Sequence, residues 1–128
     1  MSQLSPPLVC IETTGVSLKA LATTAVGVTE NGTRRFYPLW VVVSCDAATA
    51  ITIGASVSVG TTNANEILGI TVLTSVLTAN QLLTVMAPSP TTPPQASIAP
   101  NTTLNVKVTT AATGTTQTAT VRVFGFYN

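Results

Sequence analysis

Histidine is absent from this 128-residue chain. That removes the usual base of a Ser-His-Asp hydrolase and the commonest nitrogen ligand of protein metal sites. The other groups able to do chemistry are few: Cys10, Cys45, one aspartate (Asp46) and three glutamates (Glu12, Glu30, Glu66). A glycosidase needs two facing carboxylates, and here only an accident of folding could pair them. The cysteines form no C-x-x-C pair. They read as two buried thiols or as one disulfide between neighbouring strands. No G-x-x-x-x-G-K-[ST] or G-x-G-x-x-G loop is present, and oxygen ligands are too sparse for a calcium loop. Asn31-Gly32-Thr33 and Asn101-Thr102-Thr103 match the glycosylation pattern, read here as chance because no secretory leader is visible. The expectation is a protein that is not an enzyme and holds no metal or cofactor.

Groups that could bind rather than react are equally sparse. Arg34-Arg35 is the one run of adjacent charges. It reads either as surface solubility or as an interface anchor, a role in which arginine is enriched. The single tryptophan, Trp40, reads as core rather than as a ligand platform. A sugar-binding face would want several exposed aromatics, and the chain holds one Trp, two Tyr and three Phe. Phe124, Phe126 and Tyr127 read as core or as subunit interface.

Charge is the most unusual property. Charged residues are 7% and hydrophobic residues 45% of the chain, where about 25% charged is ordinary. A monomer of this mass exposes roughly 6,000–6,500 Å², so charges would be thinly spread. Net charge is +1, and near-neutral surfaces associate. Much of the surface is therefore expected to be covered by protein. There is no basic footprint for nucleic acid. The apolar content is too high for disorder. No run approaches the ~18 apolar residues that span a bilayer. The opening Met-Ser-Gln-Leu-Ser-Pro-Pro has neither the basic nor the apolar region of a signal peptide.

The elements that would position these groups read as strands. Residues 1–8, with Pro6 and Pro7, form an extended arm, either frayed or docked on a neighbour; residues 9–128 form one domain. Residues 8–12 are short and apolar. Val16, Leu18 and Ala20 then alternate with polar neighbours. Residues 21–29 follow, with Val26 and Val28 on one side, and Asn31-Gly32 marks a tight hairpin. Residues 36–45 are apolar on both faces: Phe36, Trp40 and Val42 on one, Tyr37, Leu39, Val41 and Val43 on the other. Pro38 signals a bulge or an edge. Residues 51–59 alternate cleanly, with Ile51, Ile53, Ala55, Val57 and Val59 inward and Thr52, Gly54, Ser56 and Ser58 on a polar outer face.

Residues 66–77 read as a strand with a short helical turn, and residues 82–86 as another strand. Residues 87–100 hold Pro88, Pro90, Pro93, Pro94 and Pro100 and read as a long stiff loop. Leu104, Val106 and Val108 alternate in the next strand. The last, 118–127, sets Val121 and Val123 against Arg122, Phe124 and Phe126. About eight short strands divided by turns predict an all-β, antiparallel sandwich or barrel. Threonine occurs 25 times; it is β-branched, favours strands and is polar without charge.

Two stretches also carry a resemblance: VSVGTTNANEIL (57–68) leading into LTSVL (73–77), and IAPNTTLNVKVTTAATGTTQTATVRVFGFY (98–127). Together they resemble small structural proteins of tailed-bacteriophage virions, most of all capsid decoration (cement) proteins. That group shows a "VSVGTN…N-I-L…LT" segment followed by a "TTLYVKVTTAATATT…VFGYY" ending. The resemblance covers residues 57–128 and lies in strands and turns, so no functional residue carries over. It implies a jelly-roll-like sandwich, often trimeric, on the surface of the phage head and assembled in the host cytoplasm. Its partners would be copies of itself and the major capsid protein, with no nucleic acid and no membrane. The arm and the Pro-rich loop are the segments able to reach neighbouring subunits. The candidate interface residues are therefore Leu4, Pro6, Pro7, Leu8, Arg34, Arg35, Pro88, Pro90, Pro93 and Pro94. A tail, neck or fibre component, or a carbohydrate or host-surface binding module, is the alternative.

Overall fold

The computed structural model describes residues 7–64, 67–73 and 97–128 in full and the backbone of residues 82–86. Eight strands follow in chain order: β1 (Val9–Ser17), β2 (Thr23–Val28), β3 (Phe36–Thr49), β4 (Ser56–Gly60), β5 (Leu68–Val72), β6 (Leu82–Met86), β7 (Thr103–Thr110) and β8 (Thr116–Tyr127). They form two four-stranded antiparallel sheets, β1-β8-β3-β6 and β2-β7-β4-β5.

The pairs β1·β8, β2·β7, β3·β6 and β4·β5 belong to a single long antiparallel ribbon folded back between β4 and β5. Wrapping that ribbon adds the β3·β8 and β4·β7 contacts. This is a jelly roll, an all-β sandwich of eight strands in two sheets. Between the sheets Val41, Val43, Val121 and Val123 of the first meet Val57, Val59, Leu104 and Val106 of the second, all fully buried.

Bulges decide which residues reach that core. Each inserts one residue, and one residue reverses every side chain beyond it. In β3 the register shifts between Pro38 and Trp40. Phe36 is thereby on the buried face with Val41 and Val43, whereas Trp40 and Val42 are half-buried on the outer face. This corrects the expected grouping of Phe36 with Trp40 and Val42, and the reading of Trp40 as core. The signal at Pro38 was sound: a bulge follows it, and β6 begins to pair only at Trp40. In β2 a shift between Ala25 and Gly27 leaves Val26 buried and turns Val28 out to 52% exposure. A third, in β1, is opened by Gly15 at φ 69° and returns Val16 to the core.

Two other expectations are corrected. The alternation over 51–59 is not one strand; β4 holds only Ser56–Gly60. Ile53 makes an isolated bridge to Thr113 and is 59% exposed, while Ser56 and Ser58 are buried. Period-two patterning fixes alternation but not what covers each face. The Asn31-Gly32 segment bends, yet it carries the chain from one sheet to the other, since β2 pairs with β7 and β3 with β8. Gly32 accordingly has no positive φ. The strand expected at 66–77 is β5; residues 74–77, where the helical turn was read, lie outside the described residues.

Candidate interaction surface

The titratable groups are dispersed or already engaged. The Arg122 guanidinium bonds the Glu12 carboxylate at 2.7 Å and Ser44 Oγ at 3.3 Å. Arg34 bonds Glu30 at 2.6 Å and lies 5.5 Å from the Tyr127 ring. Thr120 Oγ1 donates to Asp46 at 2.7 Å. Lys19 Nζ donates to the Gly114 and Thr115 carbonyls. Among the described residues no three His, Cys, Asp or Glu side chains gather as a metal site would need. Among the described residues no pocket opens into the fold, and no helix is long and apolar enough to cross a membrane.

Both cysteines are free. Cys10 opposes Phe124 on the outer face of β1, whereas Cys45 is buried on the inner face of β3 beside Ala119. Opposite faces of one sheet cannot be bridged. Burial pushes the Cys45 thiol above its ordinary pKa, a hydrogen bond from Gln117 works against this, and the Asp46 carboxylate adds to it. Burial and then Glu12 raise Cys10, against a lowering by Arg122. Neither thiol is activated as a nucleophile, which would need a depressed pKa.

Of the expected interface residues, Leu4, Pro6, Pro88, Pro90, Pro93 and Pro94 lie outside the described residues. Pro7 is exposed, and Leu8, just before β1, is 52% exposed. Arg34 and Arg35 are exposed but tied within the chain: Arg35 Nε donates to Ser97 Oγ at 2.7 Å and its Nη2 to Ser97 O at 3.3 Å. Arg35 thus fastens the end of the Pro-rich segment. The next residue, Ile98, is fully buried and exchanges two backbone bonds with Phe36. Thr29, which the sequence did not single out, completes that clamp. Its buried hydroxyl donates to Ala99 O and accepts from Thr102 N, each at 2.8 Å.

Phe124 and Phe126, read as core or subunit interface, lie on the outer face of the β1-β8-β3-β6 sheet, where Tyr37 and Trp40, which the sequence reading did not place with them, join them. Tyr37 stacks on Phe126 with centroids 5.1 Å apart and planes at 6°. One step along, Trp40 stacks on Phe124 at 5.6 Å and 25°. All four are half-buried, and they sit on the two middle strands. Leu8 lies at the Phe126 end, beyond the Val9–Gly125 pair. The Arg122–Glu12 pair closes the other end of the patch. Aromatic rings and arginine flanked by polar groups are the composition of binding hot spots. The signal was in the sequence: Pro38 announced the bulge that turns Trp40 out to join the C-terminal phenylalanines.

The eight-stranded jelly-roll fold is shared with a solved structure. A search of solved structures found one such similarity, to a chain of the "Cyanophage Pam1 capsid asymmetric unit". The match has a TM-score of 0.54 and 17% identity, covering 98% of this chain and 93% of that one. At that identity the likeness establishes the shared fold. No protein-family model matches the chain, and no curated protein matches it in sequence.

Proposed function

We propose that the chain is a structural protein of a bacteriophage virion, and within that class a decoration (cement) protein. It would bind the outside of the expanded head, join neighbouring capsid subunits and perform no catalysis. The observation that carries this reading is the fold match to a capsid component over nearly the whole of both chains. The surface supports it. Nine charged side chains share 6600 Å², about one per 700 Å², against roughly one per 200 Å² on an ordinary domain. Four of the nine are spent on the Arg34–Glu30 and Arg122–Glu12 pairs. Such a surface can be buried without stripping water from many unpaired ions.

The carbohydrate-binding alternative finds no support in the aromatic geometry. The described outer face of the β1-β8-β3-β6 sheet holds two aromatic pairs, Tyr37–Phe126 and Trp40–Phe124, and no pocket among the described residues in which a sugar would be enclosed.

The test is copy number in purified particles, by quantitative mass spectrometry against the major capsid protein. Near-stoichiometric abundance is expected. Deletion of residues 1–7 should lower occupancy on expanded heads, through loss of an arm on neighbouring subunits. A ratio of a few per cent would move the protein to the tail or neck. Absence from particles would overturn the virion reading.

A further inference from the structure

We propose that Asn31 is a site of spontaneous deamidation in the folded protein, an ageing reaction that converts its side-chain amide to a carboxylate. The proposal goes beyond the virion reading and does not depend on it. It rests on what the fold does with Asn31-Gly32, the pair that closes no hairpin.

The reaction asks three things of the chain. The main-chain nitrogen after the asparagine must be free of a hydrogen bond, since it has to lose its proton and turn onto the side chain. The residue carrying that nitrogen must be small, because a Cβ crowds the approach. The local backbone must be able to move, because the two reacting atoms meet only when it rotates. Gly32 meets the second condition by its type.

The structure meets the other two. Asn31, Gly32 and Thr33 are exposed and lie in bends between β2 and β3. Among the described residues none of the three gives or accepts a hydrogen bond. The chain is fixed on both sides of them. Glu30 N donates to the Tyr127 hydroxyl at 2.9 Å, and Glu30 O accepts from Asn101 N at 3.1 Å. Arg35 exchanges two backbone bonds with Asn128. Between these anchors the Gly32 amide has no contact to break before it reacts.

The other described asparagines that precede a residue are arranged in the opposite way. Asn101 is followed by Thr102, whose N donates to Thr29 Oγ1 at 2.8 Å. Asn63 is followed by Ala64, whose N donates to Thr61 O at 3.3 Å. Asn105 lies in β7, with β2 and β4 on either side. Its Nδ2 donates to Thr61 O at 3.1 Å, and the buried Val106 follows it.

In the reaction, hydroxide takes the proton of Gly32 N. That nitrogen attacks Asn31 Cγ, an N–Cγ bond forms, the Cγ–Nδ2 bond breaks, and Nδ2 leaves as ammonia with a proton from water. Water then opens the cyclic imide at one of its two carbonyl carbons. One opening gives aspartate and the other isoaspartate, in which the main chain runs through the side-chain carbon. Either product takes the net charge from +1 to zero and sets a second carboxylate beside Glu30, the partner of Arg34.

The experiment incubates the full folded chain at pH 7 and pH 8 and maps its peptides by mass spectrometry, with aspartate and isoaspartate resolved by chromatography. A parallel sample is held unfolded in guanidinium chloride. Asn31 should convert first, in proportion to hydroxide, and within about threefold of its unfolded rate, because no local structure has to open. Asn63, Asn101 and Asn105 should convert at least about tenfold more slowly folded than unfolded, since their segments must open first. Gly32→Ala should slow conversion at Asn31 severalfold. A Cβ at Gly32 would meet nothing within 4 Å and its φ is not positive, so this variant keeps the fold.

An Asn31 that is stable in the folded protein and converts only in denaturant would overturn the proposal. So would a Gly32→Ala variant that converts as fast as the wild type, or a rate at Asn31 indifferent to pH.

Discussion

Cys45 shows how one residue ties burial to pH. Its thiol lies against the Ala119 and Val43 region of the core, where a thiolate would lose its hydration. The folded state therefore holds the proton more tightly than the unfolded chain does. The unfolded thiol ionises near pH 8.5. Below that value the stabilisation is complete; as pH rises through it towards the higher folded pKa, the folded state binds more protons and stability falls. Urea midpoints measured from pH 7 to 10 should decline at the alkaline end, and Cys45→Ala should flatten that decline. An unchanged slope in the variant would remove Cys45 as the cause. Thr29 makes the complementary point. Its value lies in two hydrogen bonds to residues some seventy positions away, which no local pattern announces.

At the scale of the element, bulges and close approaches govern this molecule more than strand propensity does. Gly125 sits in β8 between Val9 and Pro38. A Cβ there would lie 2.3 Å from Tyr37 O and 2.6 Å from the Phe36 ring. The Phe36 ring thus packs over the glycine from the core side, covering the gap in the strand. Gly125→Ala should destabilise the fold by about 1–3 kcal/mol through overpacking, read as a lowered urea midpoint at unchanged slope. A neutral result would mean that β3 yields easily at the Pro38 bulge. That bulge also turns Trp40 outward, so one local irregularity serves both the core and the outer aromatic face.

For the whole molecule the balance of charge sets the salt dependence expected of the contact proposed above with the capsid. Two internal ion pairs account for four of nine charges, and the aromatic face has no net field to steer a partner. Association driven by apolar burial is insensitive to ionic screening, whose length falls from about 10 Å at 0.1 M salt to about 3 Å at 1 M. The affinity of the protein for expanded heads, the partner proposed above, should change less than about threefold between 0.1 and 0.5 M NaCl, by a pelleting assay with purified heads. A steep loss with salt would assign the contact to the arginines instead.

Much of this was legible in the chain. Alternation of valines and leucines with threonines identified β7 and β8 and their buried faces, because burial on one side of a pleat imposes a period of two. Turn residues separated about eight strands, and the shortage of charge is written in the composition itself. What failed was the facing of side chains past a bulge, as at Val28 and Phe36, and the covering of the Ser56 and Ser58 face. Both depend on one inserted residue or on distant chain. The strand order, β1 beside β8 and β2 beside β7, was likewise settled only when the ribbon wrapped on itself. Local patterning fixes which residues alternate. The tertiary fold decides which strands adjoin, and so whether four aromatics scattered from Tyr37 to Phe126 become one face, because that adjacency is set by burial summed over the whole sandwich.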